Sequence, residues 1–184
     1  MTLEQRLVAI HESLAAHRIP HAFGGAIALA FWTENPRGTT DIDVNLFLDE
    51  KECARGLRAL PEGIAQPFGT EEICLRDGQI RLWWEDTPVD LFFDNVPVHA
   101  EAASHRRVVP YGGVRIPILG PVELAVFKVM FDRTQDWADI ERMLAAKTLD
   151  VRAVRDVLKT MLGEDDPRFD RLDEAVERAA TGHV

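Results

Sequence analysis

Thr39-Thr40-Asp41-Ile42-Asp43-Val44-Asn45-Leu46-Phe47-Leu48 is the segment on which the reading of this chain turns. It is rich in β-branched and apolar residues and reads as a strand. Alternate residues of a strand share a face, so Asp41 and Asp43 project side by side while Ile42 and Val44 point the other way. Two carboxylates so close repel each other strongly in a protein interior, and a cation between them removes that cost. Mg²⁺ is the expected ion, with Mn²⁺ as a substitute, because it prefers carboxylate, water and phosphate oxygens.

Upstream, an apolar run over 19–23 ends in Gly24-Gly25, followed by a compact helix over 26–32. Glycine allows positive φ and close backbone approach, and the N–H groups opening that helix suit phosphate oxygens. Gly-Gly is common in turns, so its value comes from the carboxylate pair that follows. Downstream, Asp90 is a lone charge in the apolar strand Val89-Asp90-Leu91-Phe92-Phe93. With that strand beside 41–48, Asp90 completes a cluster able to hold two metal ions about 3.5–4 Å apart for an in-line displacement at phosphorus. No P-loop pattern G-x-x-x-x-G-K-[ST] is present.

The rest of the chain gives an α/β (α+β) reading, with a mixed sheet in residues 1–118 and a helical region in 119–184. Helices are expected over 2–17, with Thr2 and Gln5 as a capping box, and over 50–60. A hairpin is expected from 71–76 to 79–85 around Asp77-Gly78, and a second from 108–111 to 114–118. Asn35-Pro36 and Gly38 stop the 26–32 helix. Pro121 opens a helix over 121–147, followed by helices over 150–162 and 167–180.

The 184 residues carry a net charge of −10, with 46% apolar and 28% charged residues, which excludes disordered, collagen-like and disulfide-scaffold classes. That charge also disfavours wrapping of a long nucleic-acid duplex. Cys53 and Cys74 read as reduced thiols. The longest stretch without Asp, Glu, Lys or Arg, Ile19 to Thr33, is shorter than the roughly 20 residues of a membrane span. The N-terminus lacks a signal peptide's apolar core, so a cytoplasmic location is expected. The six histidines (11, 17, 21, 99, 105 and 183) show no metal-ligand spacing.

Three sets of residues form a resemblance. Phe23-Gly24-Gly25-Ala26-x-Ala28-Leu29, then Arg37-Gly38-Thr39-Thr40-Asp41-Ile42-Asp43-Val44, then the apolar-flanked Asp90, resemble the polymerase-β-type nucleotidyltransferase superfamily. Pro117-Ile118-Leu119-Gly120-Pro121-Val122-Glu123-Leu124-Ala125-Val126-Phe127-Lys128, followed by Arg133-x-x-Asp136-x-x-Asp139-Ile140, is similar to its type IV toxin–antitoxin branch, which includes mycobacterial tRNA-modifying toxins. The resemblance covers about residues 20–145. It implies Mg²⁺-dependent transfer of a nucleoside monophosphate from an NTP to a hydroxyl, with a tRNA acceptor end as partner and a cognate antitoxin. It further implies that Asp41 and Asp43 bind metal, that Asp90 draws the proton from the hydroxyl, and that Lys128 holds the triphosphate. Many members have Gly-Ser where this chain has Gly24-Gly25, so main-chain donors must replace a hydroxyl. The alternatives are an aminoglycoside-type small-molecule acceptor, which suits an acidic protein, and a nucleotide-binding module without turnover.

Lys128 lies on an apolar helix and needs a counterion, for which phosphate is a candidate; the alternative is a snorkelling stem. In a continuous helix Asp139 lies about 16 Å from Lys128. Either the helix breaks near Thr134-Gln135, or Asp136 and Asp139 pair with Arg133 and Arg142. Arg37 steadies a phosphate or closes its loop, and Trp83-Trp84 place one ring on each face of a strand.

Overall fold

The computed structural model describes residues 1–33, 35, 37–94 and 97–181, so Pro36 and His183 lie outside the described residues. The chain forms two compact units, Met1–Ile27 with Gly38–Leu119, and Ala28–Arg37 with Gly120–Val184. Together the elements make an α+β protein with a mixed seven-stranded sheet.

All seven strands belong to the first unit. They are β1 (His21–Phe23), β2 (Ile42–Asp49), β3 (Ile64–Ala65), β4 (Gln79–Trp84), β5 (Thr87–Asp94), β6 (Arg107–Tyr111) and β7 (Val114–Ile118), in the order β3-β4-β5-β2-β1-β7-β6. β2 runs parallel to β5, and β4 antiparallel to β5. Helix α1 (Leu3–Ala16) carries the expected Thr2–Gln5 capping box and buries Leu7, Ile10 and Leu14. Helices α3 (Cys53–Arg58), α4 (Thr70–Asp77) and α5 (Pro97–His105) follow; α2 (Gly25–Thr33) begins in this unit.

One face of the sheet is core. Ile42, Val44, Leu46, Val89, Leu91 and Phe93 are all fully buried, and each such side chain contributes about 1.5–3 kcal/mol of hydrophobic stabilisation. α3 packs on this face so closely that a methyl on Gly56 would meet Leu46 and Phe93 at 3.0 and 3.1 Å. β5 alternates buried Thr87, Val89, Leu91 and Phe93 with half-buried Pro88, Asp90, Phe92 and Asp94. The second face is therefore the partly open one, and it carries Asp90. Cys53 and Cys74 are free and buried.

Several elements differ from the sequence expectation. Residues 70–77 form α4 rather than a strand, and Gly78 (φ +63) caps that helix, its N–H donating to Cys74 O at 2.9 Å. An Asp-Gly pair serves a left-handed helix cap as well as a hairpin. The hairpin lies instead between β4 and β5, with Trp84 opposite Thr87 and Glu85 in the left-handed region (φ +54). The expected 121–147 helix is two helices, α6 (Pro121–Phe131) and α7 (Thr134–Ala145), separated where Asp132 takes φ +56. α5 and β3 have no counterpart in the sequence reading.

The second unit holds most of α2 together with α6, α7, α8 (Val151–Leu162) and α9 (Arg168–Ala180). Its interior includes Leu124, Val129, Trp137, Ile140, Met143, Val154, Leu158 and Leu172.

Candidate active site

The partly open face of the first unit carries a row of charge across three neighbouring strands. The parallel register sets Asp43 of β2 against Asp90 of β5, and the antiparallel register sets Asp90 against Arg81 of β4. Strands stand about 4.8 Å apart, so these side chains are immediate neighbours. Asp41 lies just before the first residue of β2, its charge adds to that of Asp43 at Arg81, and its Oδ1 accepts from Thr39 Oγ1.

Arg81 makes a bidentate pair with Asp90, Nε to Oδ1 at 2.7 Å and Nη2 to Oδ2 at 2.6 Å. The hydrogen bonds it donates to Asp90 hold the guanidinium above its ordinary pKa, with burial opposing and the charges of Asp90, Asp41 and Asp43 adding. One guanidinium thus acts as countercharge to three carboxylates. The Arg81 side chain is 53% exposed and that of Asp90 only 14%, so the arginine is the more exposed partner of the pair.

Gly25 opens α2 at φ +49, and an added Cβ would fall 1.7 Å from Asp43 Oδ2. The close approach that requires glycine here is therefore made by the Asp43 carboxylate, at a helix N-terminus where negative charge is favourable. Gly24 donates its N–H to Asp43 O at 2.9 Å, and its own Cβ would meet Asn45 Nδ2 at 3.0 Å. Both glycines thus brace Asp43.

The carboxylates suit a divalent cation in chemistry and in strand placement. Among the described residues no group of three or more His, Cys, Asp or Glu side chains is assembled as a metal holder, and both Asp90 oxygens are engaged by Arg81.

In the second unit, the break at Asp132 turns α7 back so that Asp139 reaches Lys128. Lys128 Nζ donates to Asp139 Oδ2 at 2.7 Å and to Asp136 Oδ1 at 3.4 Å. The counterions of the buried ammonium are thus aspartates. Asp136 also pairs with Arg133 at 2.7 Å, and Asp139 with Arg142 at 2.9 Å and Arg37 at 3.2 Å. Both halves of the sequence alternative hold at once. Burial pushes the Asp139 pKa up, but Lys128 and Arg37 outweigh it and leave it below the ordinary value.

Sequence reasoning missed Arg81. The signal was available, because a two-residue Glu85-Asp86 turn fixes Arg81 opposite Asp90; placing the hairpin at Asp77-Gly78 hid it. Of the tryptophan pair, Trp84 is buried and Trp83 is 48% exposed, on the Arg81 face.

The fold has known counterparts. The chain superposes on an antigenic nucleotidyltransferase-like protein from Paracoccidioides brasiliensis with a TM-score of 0.55 at 15% identity, covering 98% of this chain and 97% of that one. It is similarly close to the antibiotic-resistance factor ANT(2'')-Ia, solved in complex with adenylyl-2''-tobramycin, with a TM-score of 0.54 at 11% identity over the whole of both chains. No protein-family model and no curated protein matches the chain. At these identities the likeness defines the class by architecture: this is a nucleotidyltransferase fold.

Proposed function

We propose that the chain is a metal-dependent nucleotidyltransferase, moving a nucleoside monophosphate from an NTP to a hydroxyl with release of pyrophosphate. The observation that carries this reading is the register that sets Asp43 beside Asp90 on the partly open sheet face, with Asp41 just before the start of β2. Asp41 and Asp43 would hold Mg²⁺ or Mn²⁺, which supplies charge neutralisation at the phosphates. Asp90 accepts the proton of the acceptor hydroxyl as its oxygen bonds to the α-phosphorus, and the bond to the β-phosphate oxygen breaks. Asp90 is the carboxylate for that role because its present partner, Arg81, is the exposed one.

The proposed acceptor is a tRNA 3′ end, in a toxin held in check by a cognate antitoxin, supported by the resemblance over 117–140. A cytoplasmic site of action follows from that acceptor. No helix among the described residues is long and apolar enough to cross a membrane. The test is incubation with Mg²⁺, each α-labelled NTP in turn, and either total tRNA or an aminoglycoside panel. Label is expected on tRNA and lost in Asp41→Ala. Label on the drug alone refutes the tRNA assignment, and nucleotide binding without transfer refutes the enzyme.

A further inference from the structure

Trp83 and Trp84 are consecutive on β4, so the pleat sends their rings to opposite faces of the sheet. Trp84 is buried in the core, whereas Trp83 stays half exposed on the face of Arg81. An indole left in water on a sheet face gives up much of the hydrophobic stabilisation that its neighbour gains. Its cross-strand neighbours are short and leave it uncovered: Trp83 stands between Ala65 of β3 and Pro88 of β5. Among the described residues no aromatic ring or cation stacks on it.

The register fixes where this ring stands. Trp83 lies opposite Pro88 and Arg81 opposite Asp90, and all four share one face of the β4–β5 pair. They are the corners of one patch of sheet, with Trp83 on the diagonal from Asp90, about 7–8 Å away and within reach of an aromatic side chain. Beyond Trp83 lies only the two-residue edge strand β3, whose Ala65 is exposed. The indole thus extends the candidate active site from Asp90 towards the edge of the sheet. Aromatic rings and guanidinium planes are the surfaces on which unstacked bases lie. A polycationic drug needs carboxylates, and the one carboxylate of this patch, Asp90, already carries Arg81.

We infer that Trp83 is the stacking platform for the terminal base of a single-stranded 3′ end, and that it selects a nucleic-acid acceptor over an amino sugar. The hydroxyl facing Asp90 and the base lying on Trp83 belong to the same nucleotide. Assigning Asp90 to that hydroxyl rests on the nucleotidyltransferase reading; the stacking surface rests on the exposed ring and its register. Every base has a π-face, so Trp83 reads the presence of a terminal base and not its identity.

The test is fluorescence-anisotropy titration of the whole protein, without NTP or metal, against a short 5′-labelled single-stranded RNA at low salt. A matched RNA lacking only its 3′-terminal base keeps every phosphate and the terminal hydroxyl. Trp83→Leu is expected to weaken binding of the intact RNA about tenfold, and Trp83→Phe by less than about threefold. Removing the terminal base should cost the wild type the same factor of about ten and cost Trp83→Leu nothing further, because the two changes delete one contact. A parallel titration with the aminoglycoside panel should show no dependence on Trp83. Equal binding of the intact RNA by wild type and Trp83→Leu overturns the inference, as does a terminal-base effect of the same size in both proteins. Aminoglycoside binding that depends on Trp83, with RNA binding unaffected, overturns it as well. The wild-type arm needs no variant to fold: base removal without effect there is also a refutation. These titrations involve no transfer, so the label-transfer assay can fail while they succeed, and the reverse.

Discussion

Replacing Gly25 by alanine isolates how the fold places its central carboxylate. Gly25 has φ +49, and a β-carbon there costs about 1–2 kcal/mol in the left-handed region. That carbon would lie 1.7 Å from Asp43 Oδ2 and 2.6 Å from Cγ, where real contacts lie beyond 3.0 Å. Asp43 must leave its rotamer, adding about 0.5–1.5 kcal/mol. The sum is about 2–3 kcal/mol, which for a chain of this size lowers the melting temperature by about 4–12 °C. The assay is thermal unfolding of a double-mutant cycle. In an Asp43→Ala background only the backbone part remains, so the two substitutions should show a coupling of about 1 kcal/mol. An equal cost of Gly25→Ala in both backgrounds would refute the claim that the glycine exists to admit the carboxylate.

Three further outcomes follow. His21 is buried and neutral, its Nδ1–H donating to Ile19 O at 2.8 Å and its Nε2 accepting from His11 Nδ1 at 2.9 Å. Burial, with the charges of His11 and Arg106 adding and the Ile19 bond opposing, pushes its pKa down to about 4. The unfolded chain then binds a proton below about pH 6.5 that the folded chain refuses, so stability falls by about 2 kcal/mol between pH 8 and 5. Chemical denaturation across that range should show the loss in wild type, and His21→Gln should remove most of it, leaving the smaller part due to His11, whose pKa burial also lowers. Asp139→Asn leaves Lys128 buried with only Asp136 at 3.4 Å and should cost about 3 kcal/mol. A melting temperature within 2 °C of wild type, against the roughly 6–12 °C fall expected, would contradict that cost. Arg81→Ala leaves the largely buried Asp90 carboxylate without its bidentate partner, so unfolding should lose about 1–3 kcal/mol; an unchanged stability would show that the pair does not brace the fold.

The strand bearing Asp41 and Asp43 was legible because alternation of carboxylate and aliphatic residues has one reading on a half-buried strand. Asp90 was legible for the same reason, as a charge isolated among apolar neighbours. Helix α4 was not, since Glu71, Glu72 and a terminal Asp-Gly fit a helix and a hairpin alike, and only packing of Cys74 into the core decides. The break at Asp132 left no Gly or Pro to announce it. Side-chain bonds to Asp132 accompany it, among them Trp137 Nε1 donating to Asp132 Oδ1 at 2.7 Å. Arg81 escaped because its meaning depends on hairpin register and not on its own neighbours in sequence. Lys128 was legible as a buried charge in need of a partner, but the identity of that partner required the α6–α7 fold-back.

The proposal that Asp41 and Asp43, with Asp90 beside them, hold a divalent cation is tested most directly by Mn²⁺ titration followed by electron paramagnetic resonance. Wild-type protein should take up Mn²⁺, Asp41→Asn and Asp43→Asn should lose that uptake, and Arg81→Ala, which frees Asp90, should bind more tightly than wild type. Mn²⁺ uptake by Asp41→Asn and Asp43→Asn equal to that of wild type would contradict the account.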